Sequence, residues 1–243
     1  MTRTQPRFVS SLPDLTDHRR PVTLDAEGAS ATVGETLKLN NVERRMGHDG
    51  PVTTHDEQLF LACIHTNPID VQILKLAPLL GVSDWWLTAG ALFQTVWNVL
   101  EGKDPQAGIR DYDLFYFDED TSYAAENAVI LRARELFKDL GVDVEVRNEA
   151  RVHLWYEEHF GVPATPFTST TDAVDHFAAK TCCFAITSDE AGTLRTYAPH
   201  GYDDLFARKI VPNPMLAPQD VYEAKTRRWR TEWPTLTVLP WPA

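Results

Sequence analysis

The sequence predicts an α/β (α+β) domain in which helices pack on a mixed central sheet, and two patterns carry that expectation. Apolar residues recur at helical spacing in several segments, each closed by a glycine: Gly81, Gly102 and Gly141. Other segments read as strands, through the aromatic run IRDYDLFYFD (109–118) and the strict valine–polar alternation of Val142 to Arg147.

Taken in order, Thr54 and Glu57 form a capping box before the apolar segment LFLACI, a buried helix. Asn67-Pro68 starts a second helix, because a missing proline N–H is harmless at the first helical position. It runs to Leu80, with Pro78 weakening its last turn. SDWWLTAG reads as a buried strand to about Ala89, and ALFQTVWNVLEG as a helix. KDPQAG is a loop into the aromatic strand. SYAAENAVILRARELFKDLG is a long helix with Ala125, Val129, Ala133, Leu136, Phe137 and Leu140 on one face. EARVHLWYEEHFG is either a helix or an extended arm. Thr170 or Thr171 caps DAVDHF. TCCFAITSDEAGTLRTYAP forms two strands across a DEAG turn. A short YDDLF helix, a KIVPNP segment, a final helix from Gln219 to Glu232 and an extended Pro/Trp-rich ending complete the chain. Residues 1–50, poor in apolar groups, read as a polar N-terminal extension, and 51–243 as the domain.

The 23 basic residues face 35 acidic ones, a net charge of −12 over 243 residues. That balance disfavours a protein that holds nucleic acid by charge, which needs clustered Lys and Arg. Three cysteines without a CxxC pair argue for a cytoplasmic protein rather than a disulfide scaffold. No apolar leader or membrane-length stretch is read in the sequence.

The chemistry concentrates in Asp111-Tyr112-Asp113-Leu114. Residues two apart on a strand share a face, so Asp111 and Asp113 present their carboxylates together. Like charges side by side are costly unless solvent or a cation compensates them; the buried character of the LFYF flank speaks against a solvated edge, and magnesium takes hard oxygen ligands and bridges carboxylates to phosphates. In Val142–Arg147 the odd positions carry acid, acid and base. A neighbouring strand there supplies a third carboxylate from Glu145 or Asp143, Glu145 being favoured as the central one. Upstream, Ala89-Gly90-Ala91 joins a strand to a helix; small residues admit a phosphate to the free N–H groups of the helix start.

The order AG, DYDLFYFD, VEV resembles the DNA polymerase beta-like nucleotidyltransferase fold. More narrowly, WWLTAGALFQTVWN, GIRDYDLFYFD, VEVRNEARVHLWYEEHFG, TYAPHGYDDLFARKIVPNP and YEAKTRRWRTEWPTL are similar to a bacterial family of nucleotidyltransferase-like proteins over roughly 60–238. The resemblance implies that Asp111, Asp113 and Glu145 are catalytic metal ligands for magnesium, with manganese as an alternative. It implies that Gly90 and Ala91 grip the phosphates of a nucleoside triphosphate such as ATP. Two departures stand out: Ala91 replaces the usual serine, and twenty residues separate Gly90 from Asp111.

Transfer of a nucleotidyl group to a hydroxyl, with pyrophosphate leaving, also needs cations on the triphosphate. Arg147, sharing the face of Glu145, ranks first and Lys225 on the last helix second. The expected acceptor is a small molecule or a protein side chain. Two other functions use the same residues: a non-catalytic nucleotide- or partner-binding protein, and a metal-dependent phosphoester hydrolase. His153 and His159, six apart, suit no metal-binding spacing and read as packing or surface residues. Cys182 and Cys183 read as adjacent, buried strand residues facing opposite ways.

Overall fold

The computed structural model describes residues 54–189 and 191–242, all within the unit His48–Ala243. The expected extension over 1–50 lies outside the described residues.

Helix α1 (His55–His65) begins where the Thr54 hydroxyl accepts the N–H of Glu57 at 3.2 Å. Helix α2 (Pro68–Leu76) is capped by Asn67, whose Oδ1 accepts from Ile69 N at 3.0 Å. Pro78 removes the N–H that would continue α2, so the chain tightens into a 3₁₀ turn over Ala77–Leu80 and stops at Gly81, φ +67°. Strand β1 (Trp86–Thr88) is shorter than expected: Asp84, at φ +47°, turns the chain before it. Its carboxylate binds the indole N–H of Trp86 and the N–H of Thr170. Helix α3 (Gly90–Leu100), strand β2 (Tyr112–Tyr116), helix α4 (Tyr123–Phe137, capped by Ser122) and strand β3 (Val144–Asn148) follow; β2 is shorter than the expected 109–118 and leaves Asp111 outside it, and α4 gives way to a 3₁₀ turn over Lys138–Leu140.

The segment after β3 resolves the choice between helix and arm. It is a 3₁₀ stretch over Glu149–Leu154, then a short helix α5 (Tyr156–Phe160). In helix α6 (Thr170–Asp175) the cap is Ser169, accepting from Asp172 N at 3.0 Å, rather than Thr170 or Thr171. Cys182 lies in a 3₁₀ turn and Cys183 just after it, not in a strand; strand β4 (Ala185–Ser188) starts three residues past Cys182. Both are buried, and they do face apart, Cys182 into the main core and Cys183 towards Trp86. Strand β5 (Leu194–Tyr197), helix α7 (Asp203–Phe206), strand β6 (Lys209–Ile210), helix α8 (Gln219–Glu232) and strand β7 (Thr237–Val238) complete the order.

The sheet runs β3-β2-β1-β4-β5, with β2 and β3 parallel and the other pairs antiparallel, while β6 and β7 form a separate parallel pair. Register sorts its two faces. Ile186, Leu87, Leu114 and Val146 form one cross-strand row, all buried in the main core beneath residues of α1, α2, α3, α4 and α8. Removing Leu114 to alanine would cost about 2–5 kcal/mol in that row. The next row, one residue along, is Ala185, Thr88, Asp113 and Glu145, on the opposite face. The first face packs the main core, while the second carries the acids and packs a smaller cluster of Trp86, Val174, Cys183 and Ala185.

Candidate active site

Asp113 stands directly across from Glu145 on β3 and from Thr88 on β1. The Thr88 hydroxyl is donated to the carbonyl of Asp113 at 3.3 Å. Asp111 lies one residue before β2, where Tyr112 N donates to the carbonyl of Asp143 at 3.0 Å and locks the entry of β2 to that of β3. Asp143 itself is exposed at the strand entry, and Glu145 is the half-buried acid of the row.

Asp113 lies in the field of the other two acids. Partial burial, then the charges of Asp111 and Glu145, push the Asp113 carboxyl up to about 8, against the opposing pull of Lys225 and Arg147. A fourth carboxylate belongs to the group. Glu149, 5% exposed, is pushed up to about 8 by burial first and then by Asp113 and Glu126. It escaped the sequence reading because strand parity ends at Asn148; only its place four residues after Glu145 hints at it.

Arg147 shares the face of Glu145 and is bound to it, its Nε and Nη2 donating to Oε1 at 2.8 and 2.7 Å. As placed, no three acidic, histidine or cysteine side chains among the described residues stand close enough together to hold a metal ion. The donor set nonetheless fits a hard divalent cation in kind. Asp113 and Glu145 occupy one face of two adjacent strands, and burial, followed by like charge, raises Asp113 well above its usual range.

Two cations arrive from α8. Exposed Lys225 favours the ionised form of Asp113. Arg228, which the sequence ranking passed over, lies within the field of Asp111 and Arg110, and burial lowers its basicity. Lys225 and Arg228, three apart, share one flank of the helix. Arg227 and Arg230 take the other flank and line a groove of about 430 Å³ with Glu223, Thr226, Thr231 and Val238.

The turn Ala89-Gly90 follows β1 directly. Ala89 adopts φ +56°, ψ −131°, and no side chain caps α3. The N–H groups of Leu92 and Phe93 bond the Ala89 carbonyl at 3.1 and 3.4 Å. Gly90 and Ala91 precede them, where a helix start leaves its N–H groups without intrahelical acceptors. Gly90 is buried and Ala91 is 0% exposed, its methyl within the main core. Half-buried His153 and exposed His159 lie on the 3₁₀ stretch and α5, and the ring of His159 meets Phe160 at 4.5 Å.

A family model described as "Nucleotidyltransferase" matches residues 75–238, a span that holds the turn, all four carboxylates and α8. The chain is also similar to a solved structure described as "The NMR structure of the protein reveals a CCA-adding enzyme head domain". That similarity has a TM-score of 0.63 and 25% identity, over 79% of this chain and 100% of the other. No curated protein sequence matches. Among the described residues, no helix is long and apolar enough to cross a membrane.

Proposed function

The chain belongs to a nucleotidyltransferase family, and on that premise we propose that it moves a nucleoside monophosphate from a nucleoside triphosphate to a hydroxyl acceptor, with magnesium, releasing pyrophosphate. The observation that carries this reading is the row Thr88–Asp113–Glu145, with Asp111 close enough in charge to act on Asp113 and the uncapped start of α3 one residue beyond β1.

Asp111, Asp113 and Glu145 are the residues that would hold the divalent ions. When bound, these would lower the pKa of the acceptor hydroxyl and neutralise charge on the triphosphate. The N–H groups of Gly90 and Ala91 bind phosphate oxygens at the positive end of α3. With Ala91 in place of the usual serine, the backbone N–H groups do this work alone. Lys225 and Arg228 supply charge from α8. Arg147 exchanges Glu145 for a phosphate, which orients the triphosphate and releases the carboxylate for the site. Glu149, which lies in the field of Arg147, then balances the charge of the guanidinium.

The acceptor is read as a small molecule or a protein side chain, in the cytoplasm. The similar solved chain is described as a CCA-adding head domain, but a net charge of −12 sets this chain against a large polyanionic acceptor.

Calorimetric titration with the four ribonucleoside triphosphates, with and without magnesium, tests the reading. One of them binds in a magnesium-dependent way, and Asp113→Asn weakens that binding at least tenfold. Folded protein that binds none of the four sinks the proposal. Binding indifferent to metal and to Asp113→Asn would support a nucleotide-binding role without transfer.

A further inference from the structure

We propose that Glu149 binds the acceptor, and that the acceptor it selects is a small amine-bearing alcohol held through its ammonium group; this rests on the nucleotidyltransferase reading above. Glu149 is 5% exposed, and among the described residues no hydrogen bond or ion pair reaches its carboxylate. Buried carboxylates are normally paired or hydrogen-bonded, because withdrawing them from water uncompensated is costly. Its acidic neighbours are served: Glu145 by Arg147, and Glu126 by Arg151 at 2.8 Å and by the N–H of Asn148 at 3.2 Å. Of the charges acting most on Glu149, those of Asp113, Glu126, Arg147 and Glu145, only Arg147 is a cation. Glu145 holds that cation, and the triphosphate takes it over once bound.

Position says which ligand brings the missing cation. Asn148 is extended, at φ −88° and ψ 109°, so Glu149 follows Glu145 and Arg147 along the acid face. β1 runs against β2, which puts the Ala89-Gly90 turn beside Asp111. Glu149 lies past the other end of β2, level with Phe117. The attacking and leaving oxygens of an in-line displacement stand on opposite sides of the phosphorus. Pyrophosphate leaves towards the turn, so the acceptor enters from the Glu149 end. Phe117 packs there against Val152, Tyr156 and Phe167, an apolar wall for a carbon skeleton. The loop that follows carries exposed Asp118, Glu119 and Asp120, which favour a cation over a neutral or anionic molecule. With the ammonium on Glu149, the hydroxyl oxygen of the same molecule bonds to the α-phosphorus as the bond to pyrophosphate breaks, and the hydroxyl proton passes to water.

The test uses the full chain with magnesium and α,β-methylene analogues of the triphosphates, which bind without reacting. Two probe pairs share a skeleton and differ by one ammonium group: ethanolamine with ethylene glycol, and glucosamine with glucose at mildly acidic pH. Titration followed by ligand-observed NMR gives the amine of each pair about tenfold or more tighter binding than its neutral partner, the range for a hydrogen bond to a charged group. Glu149→Gln, neutral and of the same shape, abolishes that preference and leaves the neutral compounds unchanged. Its melting temperature stays level or rises, since a buried acid without a partner has been removed. Glu149→Asp keeps the charge on a shorter arm and retains part of the preference, which a packing role does not predict. A wild type that binds both members alike, or a preference that survives Glu149→Gln, overturns the proposal and leaves the nucleotidyltransferase reading intact. An equal loss of magnesium-dependent triphosphate binding in Glu149→Gln also overturns it, and makes Glu149 a metal ligand instead. Failure of wild type to bind any triphosphate overturns both readings.

Discussion

Asp70 is a carboxylic acid with 0% exposure, on α2 and far in sequence from the acidic strands. Its Oδ2 accepts the Thr95 hydroxyl at 3.2 Å, and its Oδ1 has no partner among the described residues. Asn67 ties the same group together, donating to Thr95 at 2.9 Å and to the Tyr112 hydroxyl at 3.4 Å. Burial drives the Asp70 carboxyl well above the usual carboxylate range, and the Thr95 hydrogen bond only partly opposes this. The folded state therefore keeps a proton that the unfolded chain gives up in mild acid. The contribution of Asp70 is complete below the unfolded pKa and is lost as pH rises through the folded one. Asn has the same shape and no charge to desolvate. Asp70→Asn is accordingly expected to change the melting temperature little near pH 4 and to raise it progressively towards pH 8. Equal effects at both ends, followed by calorimetry, would show that Asp70 is ionised in the fold.

At the scale of elements, the connection from α3 to β2 is pinned by Asn98. Its Nδ2 donates to the carbonyls of Pro105 and Ala107 at 3.0 and 2.8 Å, and its Oδ1 accepts the Trp233 indole at 2.7 Å. Lys103 reaches the Glu232 carbonyl at 2.6 Å, and Trp233 packs on Gly108, at φ +71°. The twenty residues between turn and acids are thus a three-turn helix and a loop clamped by the end of α8. Asn98→Ala strips the clamp and is expected to cost about 2–4 kcal/mol in urea unfolding, since one buried partner, the Trp233 indole, and two half-buried carbonyls lose their bonds. A loss under about 0.5 kcal/mol would mean that the loop is held by other contacts. This is also where sequence reading reached its limit. β2, β3 and the long helix were legible because period and polarity coincide in them, and the stop at Gly81 because only glycine takes that turn freely. The acidic row followed from the same alternation. Glu149 and Arg228 did not, because a 3₁₀ turn after β3 and the docking of α8 bring them in, and neither leaves a local pattern. Ser169 lost its place to Thr170 and Thr171 because serine and threonine both cap helices and three candidates stand side by side in the sequence.

For the molecule as a whole, the question is what a chain of net charge −12 accepts as substrate beside a triphosphate. Its acids and bases are sorted rather than mixed. Four cations fall within Lys225–Arg230 on α8, but the helix splits them between two flanks. Lys225 and Arg228 lie within the field of the carboxylates, while Arg227 and Arg230 line a separate groove that also contains Glu223. Such a division serves a compact anion well, because a triphosphate needs two or three cations close together. It serves a nucleic-acid backbone badly, because that ligand needs a continuous cationic track, and repulsion from the rest of the chain acts over about 8 Å at physiological ionic strength. The expected outcome is that transfer RNA fails to bind below about 10 µM at 150 mM salt, whereas the preferred triphosphate binds with magnesium under the same conditions, both followed by fluorescence anisotropy. The salt series discriminates further. A compact anion contacting two or three cations loses affinity gently between 50 and 200 mM salt, and a polyanion making six or more contacts loses about a thousandfold. Tight, steeply salt-dependent RNA binding would transfer the acceptor from small molecule or protein to nucleic acid, and would make the Arg227–Arg230 flank its first point of contact.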